Sequence, residues 1–168
     1  VKTILQHSIT PVLRGVAMKN GFRAFDSDMH VYDAAELYEK YMDPKWGERI
    51  PRGQRNGKHG RVEFKLGGGT TLRAITDVID HGQKQVADRY DFAVARDYDA
   101  VSQVEAMDRE GLDLAVLFRT SPLHCDETLE PEYANDLCRA WNSWIAEFCK
   151  VNPQRLKASA LITLHDVD

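Results

Sequence analysis

The stretch "FRAFDSDMH", residues 22–30, begins as an apolar run and ends in two acids and a histidine. Residues 22–28 are predicted to form a buried strand, in which side chains alternate between the two faces. Asp26, Asp28 and His30 are therefore expected to point to the same side. Asp28 and His30 together predict part of a divalent-metal site, because Asp supplies a hard oxygen ligand and His a borderline nitrogen ligand. The alternative is that Asp28 only caps the turn after the strand.

Two further segments are typical of buried strands. They are "LDLAVLFRT", residues 112–120, and "LKASALITL", residues 156–164. Near-continuous apolar runs of this length are typical of strands that are covered on both faces, as in parallel sheets.

Helices are predicted between these strands. Apolar residues recur at spacings of three and four from Pro131 to Val151, which predicts a long amphipathic helix. A shorter helix is predicted over 97–111, with Asp97 or Asp99 as its N-cap and Gly111 after its last turn. The alternation of helix and strand favours an α/β sheet built from βα units.

The segment 31–96 is interpreted as a long insertion after the first strand. It is expected to hold a short helix around 33–42 and a small hairpin in which "RVEFKL", residues 61–66, closes near the glycines 67–69. Long insertions often form lids over binding sites. Trp46 is therefore a candidate substrate-binding residue, with burial in a small core of the insertion as the alternative.

Two residues at predicted strand ends are further candidates. Arg119 closes the second strand and could bind a substrate carboxylate through paired hydrogen bonds, or could instead pair with a structural acid such as Asp126. His165 follows the third strand, at the end where an α/β barrel carries its chemistry. We expect His165 to face the pocket as a catalytic residue, and the alternative is a loop histidine.

Composition narrows the class of protein. The chain has 168 residues, of which 43% are apolar and 29% charged, with a net charge of −4, as is common in soluble globular domains. The sequence has no basic stripe of the kind that would predict a nucleic-acid or membrane surface. An open Rossmann-like domain is disfavoured, because no G-x-G-x-x-G follows a predicted strand. Three cysteines without C-x-x-C spacing, and an N-terminus without a continuous apolar run, favour a reducing cytoplasm over secretion.

Several ordered motifs resemble one protein family. The segment "FDSDMHVYDAAELYEKYMDPKWGERIP", residues 25–51, resembles the opening of the amidohydrolase-related family that includes aminocarboxymuconate-semialdehyde decarboxylase (amidohydrolase family 2). "VEAMDREGLDLAVLF", residues 104–118, resembles that family's next helix and strand. Residues 134–168 resemble the following helix and third strand. The resemblance covers about 22–168 and is weakest over 53–96.

The resemblance implies a (β/α)8 barrel with one metal ion at the carboxyl ends of its strands. Asp28 and His30 would be the first ligands, with zinc as the expected ion and manganese or iron as alternatives. The family's remaining ligands, a later His and a late Asp, have no counterpart in this sequence. His165 stands where relatives commonly carry Gln.

The fold is therefore predicted as α/β, the N-terminal portion of a (β/α)8 TIM-like barrel with a long insertion, 31–96, after strand 1. Residues 1–21 are an expected N-terminal extension and 22–168 the partial barrel. The resemblance implies a metal-dependent hydrolase or non-oxidative decarboxylase that acts on a small carboxylated or cyclic organic substrate. A complementary C-terminal segment or chain is the expected partner, and a homo-oligomer is expected. The alternative is a non-catalytic fragment or pseudoenzyme that serves as a binding or assembly module.

Overall fold

The computed structural model describes residues 18–55, 62–65, 88–120 and 129–164. Within these ranges the strands are β1 (Met18–Lys19), β2 (Phe22–Arg23), β3 (Phe25–Val31), β4 (Arg52–Arg55), β5 (Val62–Lys65), β6 (Leu114–Arg119) and β7 (Leu156–Ala158). The helices are α1 (Leu37–Tyr41), a 3-10 helix (Pro44–Arg49), α2 (Asp91–Ala95), α3 (Ala100–Glu110) and α4 (Pro131–Cys149). No helix in the described part of the chain is long and apolar enough to cross a membrane.

A parallel sheet of three strands, in the order β3-β6-β7, organises the molecule. These three strands lie side by side in the order in which they occur in the chain, with α3 before β6 and α4 before β7. This arrangement confirms the predicted parallel α/β sheet. Because the strands are parallel, their carboxyl ends lie at one edge, where His30 is opposite Phe118 and Val31 is opposite Arg119.

A bulge interrupts β3. Asp26 and Met29 are three residues apart on β3, whereas their partners Ala115 and Leu117 are two residues apart on β6. The Oδ1 atom of Asp26 accepts a hydrogen bond of 2.9 Å from the backbone N–H of Asp28 inside this bulge. The extra residue reverses the alternation. Asp26 is opposite Ala115 and His30 is opposite Phe118, and these two residues point to different faces of β6. The expectation that Asp26 shares a face with His30 is therefore wrong.

One face of the sheet is covered by helices and forms the core. Val31, Ala115, Leu117 and Leu156 on the strands are each at most 1% exposed. They belong to the same core cluster as Leu137, Trp141 and Ile145 of α4 and Met107 of α3. Burial of each large apolar side chain contributes roughly 1.5–3 kcal/mol. The other face is open, and Phe25 on it is 59% exposed.

The two predicted helices are confirmed, with small changes at their ends. Asp99 is the N-cap of α3, and its Oδ1 accepts a hydrogen bond of 2.8 Å from the N–H of Ser102. Gly111 ends α3 in the left-handed conformation, with φ of 73°. The predicted helix from Pro131 ends at Cys149.

The first and third strands differ from their predicted ranges. The first runs from Phe25 to Val31, because Phe22–Arg23 pairs instead with Met18–Lys19 in a separate antiparallel hairpin. The turn of that hairpin is Asn20-Gly21, and both residues have positive φ, as a tight two-residue turn requires. The third strand, Leu156–Ala158, is only three residues long.

The described part of the insertion contains the expected helix and hairpin strand in altered form. The helix is shorter than predicted, Leu37–Tyr41, and a 3-10 helix begins at Pro44. Val62–Lys65 pairs antiparallel with the upstream strand Arg52–Arg55. The strand in "RVEFKL" therefore pairs with a strand that precedes it in the chain. The glycines 67–69, where the hairpin was expected to close, lie outside the described residues.

Candidate metal centre

Asp28 and His30 lie near the carboxyl end of β3, at the same edge as the end of β6. His30 is on the open face, opposite Phe118, and their ring centroids are 6.4 Å apart. The side chains of Asp28 and His30 are 77% and 54% exposed. Both can therefore reach a ligand from solvent.

The spacing of the two side chains fits a shared metal ion. His30 Nε2 lies 3.6 Å from Asp28 Oδ1. Two tetrahedral ligands of zinc at about 2.0–2.1 Å would be separated by about 3.3 Å. The observed separation is therefore close to that of two ligand atoms on one divalent ion.

The orientation of the His30 ring is fixed from the neighbouring strand. Nδ1 of His30 lies 2.8 Å from the backbone carbonyl oxygen of Arg119. A carbonyl oxygen can only accept, so Nδ1 must carry the proton and donate it. In the neutral ring the lone pair is then on Nε2, the atom nearer Asp28. Histidines that ligate a metal through one ring nitrogen usually donate the N–H of the other to an acceptor such as a backbone carbonyl.

Two ligand atoms are only part of a metal centre, since catalytic zinc uses about three protein ligands and an open position. Within the described ranges, no group of three or more His, Cys, Asp or Glu side chains could hold a metal ion. His165, the predicted catalytic residue, lies outside the described residues. Its role stays a prediction.

Arg119 makes buried contacts beneath this edge of the sheet. Its side chain is 7% exposed, and its Nε lies 3.5 Å from Oδ2 of Asp33, whose side chain is completely buried. Its Nη2 donates a hydrogen bond of 2.6 Å to the hydroxyl of Tyr38 on α1. This geometry favours the predicted alternative, pairing with a structural acid, and the acid is Asp33. Asp126 lies outside the described residues, and a direct substrate contact by Arg119 remains untested.

Asp33 was not among the predicted residues. The signal that could have found it is the position of Arg119 in a strand predicted to be buried, because a buried guanidinium requires an acid nearby. "VYD", residues 31–33, offers that acid directly after the strand that pairs with Arg119.

Trp46 is built into the core rather than placed over an open site. It is 8% exposed, and its indole N–H donates a hydrogen bond of 2.9 Å to Oδ2 of Asp136 on α4. Its ring meets the ring of Tyr133 edge to face, with centroids 4.9 Å apart. These contacts favour the structural alternative, and no described contact bears on its predicted role in substrate binding.

A cavity of about 200 Å³ lies beside His30. Its lining residues come from β3, α2, α3 and adjoining loops, and include Met29, Tyr32, Tyr90, Tyr98, Gln103 and Met107. The rings of Tyr32 and Tyr98 are stacked with centroids 4.4 Å apart. Burial raises the pKa of the Tyr90 phenol, and its hydrogen bond of 2.5 Å to Glu110 raises this pKa further.

Comparison with known proteins supports the fold. The chain is similar to the crystal structure of an amidohydrolase from Mycobacterium avium subsp. paratuberculosis K-10, with a TM-score of 0.59 and 19% sequence identity. The match covers 86% of this chain and 44% of that chain, so the chain corresponds to less than half the length of that protein. No family model and no curated protein matches the sequence. The similarity shows that the two share a fold over the matched region.

Proposed function

We propose that the chain is part of a metal-dependent hydrolase or non-oxidative decarboxylase of the amidohydrolase type, within the group that includes aminocarboxymuconate-semialdehyde decarboxylase. Asp28 and His30 supply two ligands to one divalent ion, with zinc expected first and manganese or iron as alternatives. The observation that supports this proposal most strongly is the orientation of His30. Its Nδ1 is bonded to the carbonyl of Arg119 and its Nε2 is 3.6 Å from the Asp28 carboxylate.

The chain's own residues would hold the ion and receive the substrate. A bound divalent ion would supply Lewis-acid chemistry for an attacking water or a substrate oxygen. A small cyclic or carboxylated substrate would bind on the open face of the sheet, next to Asp28 and His30. His165 is proposed to contact the substrate.

A complementary C-terminal segment or chain is proposed to complete the centre. Four large apolar side chains of the described residues are more than half exposed, namely Phe22, Phe25, Ile162 and Leu164. A complementary segment would cover apolar side chains that the described residues leave exposed. We also propose that the protein forms a homo-oligomer and is located in the cytoplasm. Cys138 and Cys149 are free thiols, which is compatible with a reducing compartment.

Metal binding by the purified full chain tests the proposal. Cobalt and zinc affinities are compared between wild type and Asp28→Asn/His30→Gln, with Asp91→Asn, an exposed acid of α2, as the control. We expect the double variant to lose affinity by at least about 100-fold while the control stays at the wild-type value. Equal affinity in all three would contradict the assignment of these ligands. No binding by wild type would favour the binding or assembly module.

The type of reaction is separated by following the products. In water enriched with ¹⁸O, a hydrolase places the isotope in its organic product, whereas a decarboxylase releases carbon dioxide from a small carboxylic acid. Either activity should be lost in Asp28→Asn/His30→Gln.

A further inference from the structure

We infer that Asp33 and Arg119 are positioning residues for His30. Their buried ion pair fixes the end of β6, and this places the Arg119 carbonyl where it orients the His30 ring. The inference rests on the proposed function for the identity of His30 as a ligand, but the positioning itself can be measured without metal.

The first step is the link between the two side chains and the two strand ends. Val31, the last residue of β3, is opposite Arg119, the last residue of β6. Asp33 follows the end of β3 by two residues. The ion pair between Asp33 and Arg119 therefore joins the chain leaving β3 to the terminal residue of β6.

The second step is the burial of the pair. The Asp33 side chain is completely buried and that of Arg119 is 7% exposed. The Asp33 carboxylate also accepts a hydrogen bond of 3.2 Å from the indole N–H of Trp141, which is completely buried in α4. Charges removed from water are held in one geometry by such partners, because no solvent can replace a lost contact.

The third step is the effect on the candidate ligand. The same Arg119 residue presents its side chain to Asp33 and its backbone oxygen to His30 Nδ1, at 2.8 Å. His30 is more than half exposed, and this hydrogen bond sets which ring nitrogen lies next to Asp28. Loss of the buried charge would release the strand end, and the ring would no longer be held with Nε2 next to Asp28.

The experiment measures the His30 ring directly. Chain labelled with ¹⁵N-histidine is examined without metal at one fixed neutral pH, and the His30 signals are assigned by their loss in His30→Gln. We expect wild type to carry the proton on Nδ1. In Asp33→Asn, which keeps an acceptor for Trp141 but removes the charge, we expect the Nε2-protonated form to gain population.

A second measurement follows zinc and cobalt affinity in the same proteins. We expect Asp33→Asn to weaken binding by about 10-fold, the low end of the loss caused by removing a direct outer hydrogen-bond partner, because Asp33 acts on His30 through Arg119. Asp113→Asn is the matched control, because Asp113 is also a buried acid but directly precedes β6 at the opposite end of the sheet, where its carboxylate accepts a hydrogen bond from the N–H of Ala24. It should leave both the His30 signals and the metal affinity unchanged.

The outcomes separate this inference from the proposed function. Unchanged His30 signals in a folded Asp33→Asn protein, or the same change in Asp113→Asn, would overturn the inference. If wild type binds no metal but its ring responds as expected, the positioning stands and the proposed ligand role fails. Should Asp33→Asn not fold, Tyr38→Phe removes the hydroxyl bonded to Arg119 Nη2 and should shift the His30 signals in the same direction. No shift there would then overturn it.

Discussion

The two ends of the parallel sheet use charged residues in different ways. At the amino end, the Asp113 carboxylate accepts from the N–H of Ala24 at 2.7 Å, and the N–H of Asp113 donates to the Ala24 carbonyl at 2.8 Å. Arg155 donates to the carbonyls of Asp113 and Leu112 and to the carboxylate of Asp108. These charged side chains mainly satisfy backbone groups and join β3, β6 and the end of α3.

At the carboxyl end, one pair of charged or polar residues is buried and another pair is exposed. Asp33 and Arg119 form a buried pair, whereas Asp28 and His30 stand exposed on the open face. Barrel enzymes place stability at the amino end of their strands and chemistry at the carboxyl end. Here the carboxyl end combines a buried ion pair with the two candidate ligands, and the backbone of Arg119 connects them.

The largest effect is expected from breaking the buried pair. Asp33→Ala leaves the guanidinium of Arg119 buried without its acid, and should lower the free energy of unfolding by about 3–5 kcal/mol. Urea unfolding followed by tryptophan fluorescence measures it. The double variant Asp33→Leu/Arg119→Met removes both charges and should recover most of the loss. A loss below about 1 kcal/mol for Asp33→Ala would show that the pair is unimportant for stability.

A smaller effect is expected at the amino end. Arg155→Met removes hydrogen bonds to two carbonyls and an ion pair, and should lower the free energy of unfolding by about 2 kcal/mol. Metal affinity should stay at the wild-type value, because the change lies at the other end of the sheet. Arg52→Met is the control, since its pair with Glu39 is exposed and is worth about 0.5 kcal/mol or less. A change in metal affinity for Arg155→Met would contradict the division between the two ends.

The smallest effect is expected at the N-cap of α3. Asp99→Ala should lower the free energy of unfolding by about 1 kcal/mol, because the N–H of Ser102 loses its acceptor. The hydrogen bond from Arg96 is the main cause of a lowered pKa of the Asp99 carboxyl in the folded chain, and the hydrogen bond from the N–H of Ser102 lowers this pKa further. Its charged form therefore stabilises the fold above the unfolded pKa, and this part is lost as the pH falls through the folded pKa.

Urea midpoints measured across the acid range test the sign of this effect. The difference between wild type and Asp99→Asn, which keeps a capping oxygen but has no charge, should be present at neutral pH. It should shrink as the pH falls below about 4. A difference that grows on acidification would contradict the lowered pKa.

Sequence reasoning succeeded where the signal was local. The helices α3 and α4 follow from their apolar spacing and from the residues Asp99 and Gly111 at the two ends of α3. The parallel strands follow from apolar runs between helices. Asn20-Gly21 was also a local signal, for a tight hairpin, but the apolar run after it was assigned wholly to the first strand.

The remaining features depend on contacts between distant segments. The acid that pairs with Arg119 lies 86 residues earlier in the chain, and spacing alone does not select Asp33 among the chain's acids. The carbonyl that orients His30 belongs to the backbone, which carries no sequence signature. The bulge between Asp26 and Met29 likewise arises from pairing with β6. The sequence therefore predicts Asp28 and His30 as candidate ligands, and that stays a prediction, whereas the contacts that hold His30 could not be predicted.

The bulge in β3 makes the position of the candidate centre tolerant of a change in chain length. Deletion of Ser27 would give a regular strand in which Asp26 stays opposite Ala115 and Met29 stays opposite Leu117. His30 would then remain opposite Phe118 on the open face, and both candidate ligands would be kept. In a homologue, a one-residue gap at Ser27 would thus be compatible with the same pair of ligands.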